Sequence, residues 1–133
     1  MLMPPIARYM TRQPWTIRRD ATLSDAHAMM RRQGVRHLPV LEQGRLAGLV
    51  TQSDLHLLET LPDVDPDHVL VEDAMTEDVF VASPEDELAD VVERMVHDKY
   101  GAVVVTSAKG VEGIFTAIDA MQVLAELLRR EST

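Results

Sequence analysis

The sequence predicts a mixed α+β fold built from two β-α-β-β-α units. Three observations predict it: an internal repeat at an offset of 65 residues, apolar positions at helical spacing early in each copy, and two strand-like runs joined by a short turn later in each copy. The chain has 133 residues, and a chain of this length buries about two thirds of its unfolded surface, so it can fold unaided. We therefore predict a first unit over residues 1–60, a linker over 61–70 and a second unit over 71–133.

The repeat aligns Met10 to Leu58 with Met75 to Val123 without a gap. Nine positions are identical in the two copies, and many others keep their apolar character. In the numbering of the first copy, the identical residues are Met10, Thr11, Leu23, Asp25, Met30, Val40, Gly48, Thr51 and Asp54. The linker between the copies carries two prolines and three aspartates, a composition typical of a loop.

Each copy begins with a short turn of helix and a brief strand, continues with an amphipathic helix, and ends with two strands and a closing helix. In the first copy, Leu23, Ala26 and Met30 recur at helical spacing, and Gly34 is well placed to end that helix. The predicted strands are 15–17, 37–41 and 46–51 in the first copy and 79–82, 102–106 and 111–116 in the second.

The composition excludes several classes of protein. Hydrophobic residues make up 46% and charged residues 26% of the chain, which is typical of a globular protein. The absence of cysteine excludes a disulfide scaffold, a thiolate zinc site and thiol catalysis. Apolar runs are only a few residues long, and prolines at positions 4 and 5 interrupt the place of a signal peptide, so we expect a cytoplasmic protein with no membrane segment.

The net charge of −9 opposes binding to a phosphate backbone, so we expect no nucleic acid partner. The charge is unevenly distributed along the chain. Residues 1–60 hold eight arginines and five acidic residues, whereas residues 61–133 hold five basic and seventeen acidic residues. This difference in sign suggests that two protomers pair head to tail.

The motif Thr-x-x-Asp occurs in each copy where a strand meets the closing helix, as Thr51 with Asp54 and as Thr116 with Asp119. The first amides of a helix and its positive dipole end favour an anion, and a threonine hydroxyl can donate to a phosphate oxygen. An ionised aspartate offers two acceptor oxygens that suit the adjacent hydroxyls of a ribose. The same spacing also predicts a capping box that satisfies only the helix's own amides, and both interpretations remain open. The similar spacings of Thr22 to Asp25 and of Ser83 to Asp86 predict caps.

The sequence resembles the tandem cystathionine-β-synthase (CBS) domain pair, in particular the small stand-alone bacterial type. The resemblance rests on MTRQPWTI with RHLPVLEQGRLAGLVTQSDL in the first copy, and on MTEDVFVASPEDEL with YGAVVVTSAKGVEGIFTAID in the second. It covers the chain from about Ala7 to about Leu127. It implies that the two units pack sheet to sheet about a pseudo-twofold axis and leave clefts that bind AMP, ADP, ATP or S-adenosylmethionine.

By position, the resemblance also implies roles for individual residues. Asp54 and Asp119 would hold ribose hydroxyls, and Thr51 and Thr116 would contact phosphate or its equivalent. The remaining ligand-binding residues that it implies are Thr16 and Ile17 with Val81 and Ala82 along the adenine, and Arg36 with His37 at the phosphate.

The second copy departs from the family pattern at the phosphate position. Gly101 and Ala102 stand where the first copy has Arg36 and His37, so phosphate binding beside the second copy is in doubt. Lys99 could compensate for the missing cation, or that site could take a less anionic ligand or stay empty. We expect the site at Thr51 and Asp54 to be the one used.

Other residue types are better explained by structural roles. The five histidines show no i, i+4 pair, so we expect no metal site. Trp15 could stack on a base, although burial in the core or at a dimer contact is the simpler interpretation. The sequence contains no nucleophile elbow, no phosphate-binding loop and no HExxH, so we expect no enzymatic activity and no required cofactor.

The sequence therefore predicts a regulatory, allosteric module that binds an adenosine ligand in the cleft between two CBS units and signals to an unidentified effector protein. The resemblance and the apolar helix faces also predict a homodimer. The alternative is a ligand-free dimerisation scaffold in which both Thr-x-x-Asp motifs act only as caps. A third and weaker hypothesis is an enzyme that acts on a nucleotide.

Overall fold

A computed structural model describes residues 3–132, and the chain divides into two compact units. The central unit is the continuous segment Pro14–Val79. The composite unit combines the segment that ends at Gln13 with the segment that begins at Phe80. This division differs from the predicted boundaries at 60 and 71, because residues up to Gln13 belong with the second repeat and residues 71–79 belong with the first.

The structure is a mixed α+β fold with two sheets, as the sequence predicts. After a 3-10 turn at Ile6–Arg8, the elements in chain order are β1 Thr11–Arg12, β2 Ile17–Arg18, α1 Leu23–Gln33, β3 His37–Glu42, β4 Arg45–Thr51, α2 Gln52–Glu59, α3 Val71–Ala74, β5 Val81–Ala82, α4 Leu88–Asp98, β6 Ala102–Ser107, β7 Gly110–Thr116 and α5 Ala117–Glu131. None of the helices within residues 3–132 has the length together with the hydrophobicity that a transmembrane segment needs.

The central unit is a three-stranded sheet of order β2-β3-β4 covered by helices. Strand β2 runs parallel to β3, and β3 runs antiparallel to β4. Its core is apolar and comes from both the sheet and the helices, because each element buries one face. The core residues are Ile17, Leu23, Ala26, Met30, Leu38, Val40, Val50, Leu55 and Val71.

The composite unit is a four-stranded sheet of order β1-β7-β6-β5. Strand β5 is parallel to β6, β6 is antiparallel to β7, and β1 adds an antiparallel edge to β7. Its core repeats the pattern of the central unit with residues from both ends of the chain. These are Ile6, Met10, Phe80, Ala82, Leu88, Val91, Met95, Val103, Val105 and Phe115.

The Met-Thr segment of each copy packs in the unit of the other copy. Thr11 pairs with Ile114 of β7, and at the repeat-equivalent place in the central unit Thr76 forms a single bridge to Leu49. The side chain of Met10 lies directly over the backbone of Gly113. Strand β1 was not predicted, because it is only two residues long and pairs with β7 of the second copy. Strand β7 lies 65 residues beyond β4, the equivalent strand of the first copy.

A capping box marks the start of α1 and not that of α4. Thr22 caps α1 in a complete capping box with Asp25, as expected, and Gly34 ends that helix in the left-handed conformation. The similar Ser83 to Asp86 spacing forms a turn ahead of α4 and does not cap that helix, which begins after Glu87. Trp15 is exposed and does not lie in the core, so of the interpretations given for it a dimer contact and stacking on a base stay predictions.

Candidate functional site

Four of the predicted residues come together at one end of the sheet in the central unit. Strand β4 ends at Thr51, and α2 begins at the next residue. His37 opens β3 directly opposite Thr51. The amide of Gln52 donates to the carbonyl oxygen of Arg36 at 3.0 Å, so the segment that enters β3 lies against the first turn of α2.

Thr51 and Asp54 form a complete capping box. The amide of Asp54 donates to Oγ1 of Thr51 at 3.1 Å, and the amide of Thr51 donates to Oδ2 of Asp54 at 2.9 Å. The second carboxylate oxygen, Oδ1, forms no hydrogen bond with any residue that the structure describes. The hydroxyl of Thr51 accepts a hydrogen bond in the cap, and its own proton remains available for donation. Capping therefore uses only part of the hydrogen-bonding capacity of both side chains.

Arg36 supplies positive charge at this junction. Its side chain is exposed and forms no ion pair with another residue among those described. Two other arginines of the central unit form ion pairs, Arg18 with Asp20 and Arg19 with Glu42 and Glu72. A guanidinium without a partner carboxylate can bind an oxyanion without first breaking an ion pair.

Thr16 and Ile17 lie at the neighbouring strand of the same sheet. Ile17 pairs in register with Val40, three residues along β3 from His37, which corresponds to about 10 Å of strand. The side chain of Ile17 is buried in the core, and Thr16 is half-buried. Only the backbone of Ile17 can therefore face a ligand.

The composite unit reproduces the capping geometry at Thr116 and Asp119. The amide of Thr116 donates to Oδ2 of Asp119 at 2.8 Å, and the amide of Asp119 donates to Oγ1 of Thr116 at 3.3 Å. Ala102 is opposite Thr116, and the amide of Ala117 donates to the carbonyl oxygen of Gly101 at 3.0 Å. The backbone frame is thus the same as in the central unit, and the cation is absent from the equivalent position.

The other residues predicted for this second site are less clustered. Val81 is exposed and Ala82 is buried, both on β5 beside β6. Lys99 ends α4 in the left-handed conformation that Gly34 adopts in the central unit. Its side chain is exposed and makes no contact within the described chain that would hold it near Thr116.

The sequence did not predict the main-chain link between the residue before β3 and the first residue of α2. That link recurs as Gln52 to Arg36 and as Ala117 to Gly101. A hydrogen bond between two backbone groups puts no constraint on residue type, so no motif marks it. The equal 65-residue offset of both pairs is the one signal that could have suggested it.

A separate cavity of about 780 Å³ lies at the far end of the same sheet, near the turn between β3 and β4. Arg19, Glu42 and Glu72 line it, and the Arg19 guanidinium lies 2.8 Å from Glu42 and 3.3 Å from Glu72. The hydrogen bond that Arg19 donates to Glu42 raises the pKa of Arg19 above its ordinary value. Because the arginine already bridges two carboxylates and none of the predicted ligand residues is here, we place the candidate site at Thr51 and Asp54.

Histidine and acidic side chains show no metal-binding arrangement in the part of the chain that the structure describes. The nearest approach to one is in the central unit, where Nε2 of His27 lies 2.9 Å from a carboxylate oxygen of Glu59 and the ring of His27 stacks on that of His56. We interpret this cluster as a contact between α1 and α2.

Comparison with known proteins gives relatives of the whole chain. A Vibrio cholerae protein provisionally named AcuB, for acetoin utilization, has a TM-score of 0.86 at 28% identity, over 99% of this chain and 98% of that one. The Methanocaldococcus jannaschii protein MJ1225 is 30% identical over 128 residues. That alignment covers 88% of this chain and 46% of MJ1225, so the chain spans about half the length of the curated relatives it matches.

Two further structures share the fold and contain ligands. The CBS domain pair of MJ0100, in complex with 5′-methylthioadenosine and S-adenosyl-L-methionine, has a TM-score of 0.82 at 19% identity and covers 94% of this chain and 98% of its own. CBSX2 in complex with AMP has a TM-score of 0.76 at 21% identity and covers 92% and 97%. Both likenesses concern the fold.

The family comparison accounts for both copies of the repeat. The CBS domain matches residues 6–57 and again residues 71–126. These two ranges agree with the repeat, with the paired strand-to-helix junctions and with the resemblance found in the sequence. The chain belongs to the CBS domain family and carries a pair of CBS domains.

Proposed function

We propose that this protein is a regulatory module that binds an adenosine ligand at the strand-to-helix junction of the central unit. The observation that carries the proposal is the combination of a free carboxylate oxygen on Asp54, a free hydroxyl proton on Thr51 and an unpaired guanidinium on Arg36 at one end of one sheet. Acceptor, donor and cation are the three features that a ribose phosphate requires.

The capping box supports ligand binding because it fixes the orientation of both side chains. With Oδ2 held by the amide of Thr51, the free Oδ1 of Asp54 is directed by the helix and loses little further entropy on accepting a ribose hydroxyl. The amino terminus of α2 adds its partial positive charge next to Arg36. The same side chains therefore stabilise the helix and present a preorganised binding surface.

The class of ligand draws support from the related folds that contain adenosine compounds. MJ0100 holds 5′-methylthioadenosine and S-adenosylmethionine, and CBSX2 holds AMP. For the central unit, with Arg36, we propose a phosphorylated adenosine such as AMP, ADP or ATP. For the composite unit, where Gly101 replaces that cation, we propose weaker binding or a ligand without phosphate, such as S-adenosylmethionine.

Regulation follows from binding only if the ligand prefers one arrangement of the protein over another. A ligand can shift an equilibrium by no more than the difference in its affinity for the two states. We propose that the protein itself catalyses no reaction and that the bound state is recognised by an effector protein. The cytoplasm, where adenine nucleotides are abundant, is the compartment that fits this role.

A ligand-free dimerisation scaffold is the second candidate function. It is favoured by one observation: both capping boxes are complete without any ligand. In that case Asp54 and Asp119 would serve only the amides of their own helices.

Thermal unfolding with AMP, ADP, ATP and S-adenosylmethionine separates the two functions. A ligand present at a hundred times its Kd adds about 2.7 kcal/mol, which raises the Tm by roughly 10 °C for a chain of this size. Asp54→Ala should abolish this ligand-induced rise because it removes the acceptor for the ribose. The variant should also lose about 1 kcal/mol of stability with its cap.

Asp25→Ala is the matched control, because Asp25 forms the same capping box with Thr22 at the start of α1. It should lose as much stability as Asp54→Ala and keep the full ligand-induced rise in Tm. If no adenosine compound at millimolar concentration shifts the Tm of the unmodified protein, the scaffold is the better description. If both variants keep the full rise, the carboxylate of Asp54 is only a cap and the ligand binds without it.

A further inference from the structure

Methionine supplies all the sulfur chemistry of this chain, because the sequence contains eight methionines and no cysteine. Oxidation converts the apolar thioether of a methionine into a polar sulfoxide, and it has structural consequences where the thioether is part of a packed contact. The described methionines differ in accessibility: Met3 and Met121 are exposed, Met29 and Met75 are half-buried, and Met10, Met30 and Met95 are buried.

Met75 packs over the backbone of the outer strand of the central unit. A β-carbon at Gly48 of β4 would lie 2.8 Å from Sδ of Met75, so a side chain at position 48 would displace the sulfur. The next residue, Thr76, exchanges two backbone hydrogen bonds with Leu49, each of 2.9 Å. Because β4 is the outer strand in the order β2-β3-β4, the segment 75–76 continues the sheet beyond β4.

The repeat supplies a second copy of this contact with a different accessibility. Met10 lies over Gly113 as Met75 lies over Gly48. Met10 is 9% exposed and belongs to the core of the composite unit, whereas Met75 is half-buried and packs against the core of the central unit. The two sulfurs therefore share one local geometry and differ in the access that a small oxidant has to them.

A sulfoxide does not suit the surroundings of Met75. The side chain packs against the apolar core of the central unit and against the backbone of Gly48. The amides of Leu49 and Thr76 beside it already donate to each other's carbonyl oxygens. A polar group that is buried without a hydrogen-bond partner is costly, so the oxidised side chain should turn out into solvent.

We propose that Met75 is a site of reversible oxidation, at which a peroxide releases the segment 75–76 from β4. The sulfur of Met75 takes one oxygen atom from hydrogen peroxide: the S–O bond forms, the O–O bond breaks and water leaves. The sulfur is thereby oxidised by two electrons and the peroxide is reduced. Strand β4 ends at Thr51, two residues after Leu49, so the modification acts on the strand that carries the candidate site.

Treatment of the full chain with hydrogen peroxide, followed by peptide mass mapping, gives the oxidation rate of each methionine. Met75 should be oxidised at least about tenfold faster than Met10, because access to the sulfur limits the reaction. The oxidised protein should lose about 4 °C in Tm, and the amides of Leu49 and Thr76 should exchange with deuterium about tenfold faster. Methionine sulfoxide reductases specific for the two epimers should together restore both values.

Met75→Leu removes the sulfur and keeps a side chain of similar size, so it should stay folded and lose the response of Tm and exchange to peroxide. Met121→Leu is the matched control, since Met121 is 62% exposed and lies on α5 of the other unit. It should keep the full response.

Met75→Gln provides a second test, because its side-chain amide is polar like the sulfoxide. It should reproduce the faster exchange of Leu49 and Thr76 without any peroxide. Equal oxidation rates at Met75 and Met10, an undiminished response in Met75→Leu, or unchanged exchange after complete oxidation of Met75 would each overturn the proposal.

Discussion

A β-carbon on Gly48 would lie 2.8 Å from both Sδ of Met75 and the carbonyl oxygen of Thr76. The same crowding recurs at Gly113, beneath Met10. These contacts explain why methionine, threonine and glycine are among the residues identical in both copies: the glycine leaves room for the methionine side chain, and the backbone of the threonine pairs beside it. The repeat showed that these residues matter, and the structure shows that they contact one another.

Gly48→Ala should destabilise the protein by about 1 to 3 kcal/mol, the usual effect of inserting a methyl group into a filled space. The control is Gly101→Ala, because a β-carbon at Gly101 would meet no atom within 4 Å. Urea unfolding of both variants measures the difference. Equal stability of the two would mean that Met75 and Thr76 shift at no cost.

The residue types of the candidate site were predictable because Thr51, Asp54 and their repeat partners have side chains that suit both a cap and a ribose. The sequence could not decide which carboxylate oxygen of Asp54 serves the cap and which is left for a ribose hydroxyl. The structure assigns Oδ2 of Asp54 to the amide of Thr51 and leaves Oδ1 free. Spacing alone cannot distinguish the two oxygens of one carboxylate.

At the scale of elements, the predicted linker contains an ordered turn held by Asp65. Its carboxylate accepts from the amide of Asp67 at 3.0 Å and lies 2.7 Å from Nδ1 of His68. The amides of His68 and Val69 donate to the carbonyl oxygen of the same residue. The hydrogen bond from Asp67, followed by the contact with His68, lowers the pKa of Asp65 below its ordinary value of 3.8.

Because the folded state lowers this pKa, the stabilisation by Asp65 is present above about pH 4 and is lost as the pH falls through the folded value. Asp65→Ala should therefore reduce the Tm at pH 7, and its difference from the unmodified protein should shrink as the pH falls below 4. Thermal unfolding between pH 3 and pH 7 measures this. Asp78→Ala is the control, since Asp78 is exposed and has no hydrogen bond or ion pair within the described residues. A difference for Asp65→Ala that stays constant with pH would contradict the assignment.

The four long strands were predicted to within one residue at each end, and the apolar spacing identified the helices, because periodicity reports which face is buried. Elements whose formation depends on a distant partner were not. Strand β1 exists only through β7, and the single bridge at Thr76 exists only through Leu49. The spacing of Ser83 and Asp86 matches that of a capping box, but the two residues form a turn, and α4 begins only at Leu88.

At the scale of the whole molecule, the compact units cut across the repeats. The alignment at 65 residues identifies equivalent positions, and it carries no information on which copy a segment packs against. The charge difference between residues 1–60 and 61–133 does not carry over to the two compact units. The central unit holds six basic and twelve acidic residues, and the composite unit holds seven basic and ten acidic residues. Both units are acidic, so the charge argument for head-to-tail pairing loses its basis.

A fragment covering residues 14–79 should keep a cooperative unfolding transition, whereas a fragment covering residues 1–60 should not. The shorter fragment lacks α3, whose Val71 is fully buried and whose amide donates to the carbonyl oxygen of Ala21 at 2.8 Å. It also loses the carbonyl of Val69 that accepts from Leu23 at the start of α1. Circular dichroism during urea unfolding compares the two, and a cooperative 1–60 fragment would show that the repeat boundary is the folding boundary.

The exchanged Met-Thr segments have a topological consequence. The backbone passes from one unit to the other at Gln13–Pro14 and again at Val79–Phe80. A protease that cleaves the loop near Pro62 cuts inside the central unit, and each of the two products then contains part of both units. The core of each unit would then hold residues from both products, which is the arrangement that reconstitution from two fragments requires.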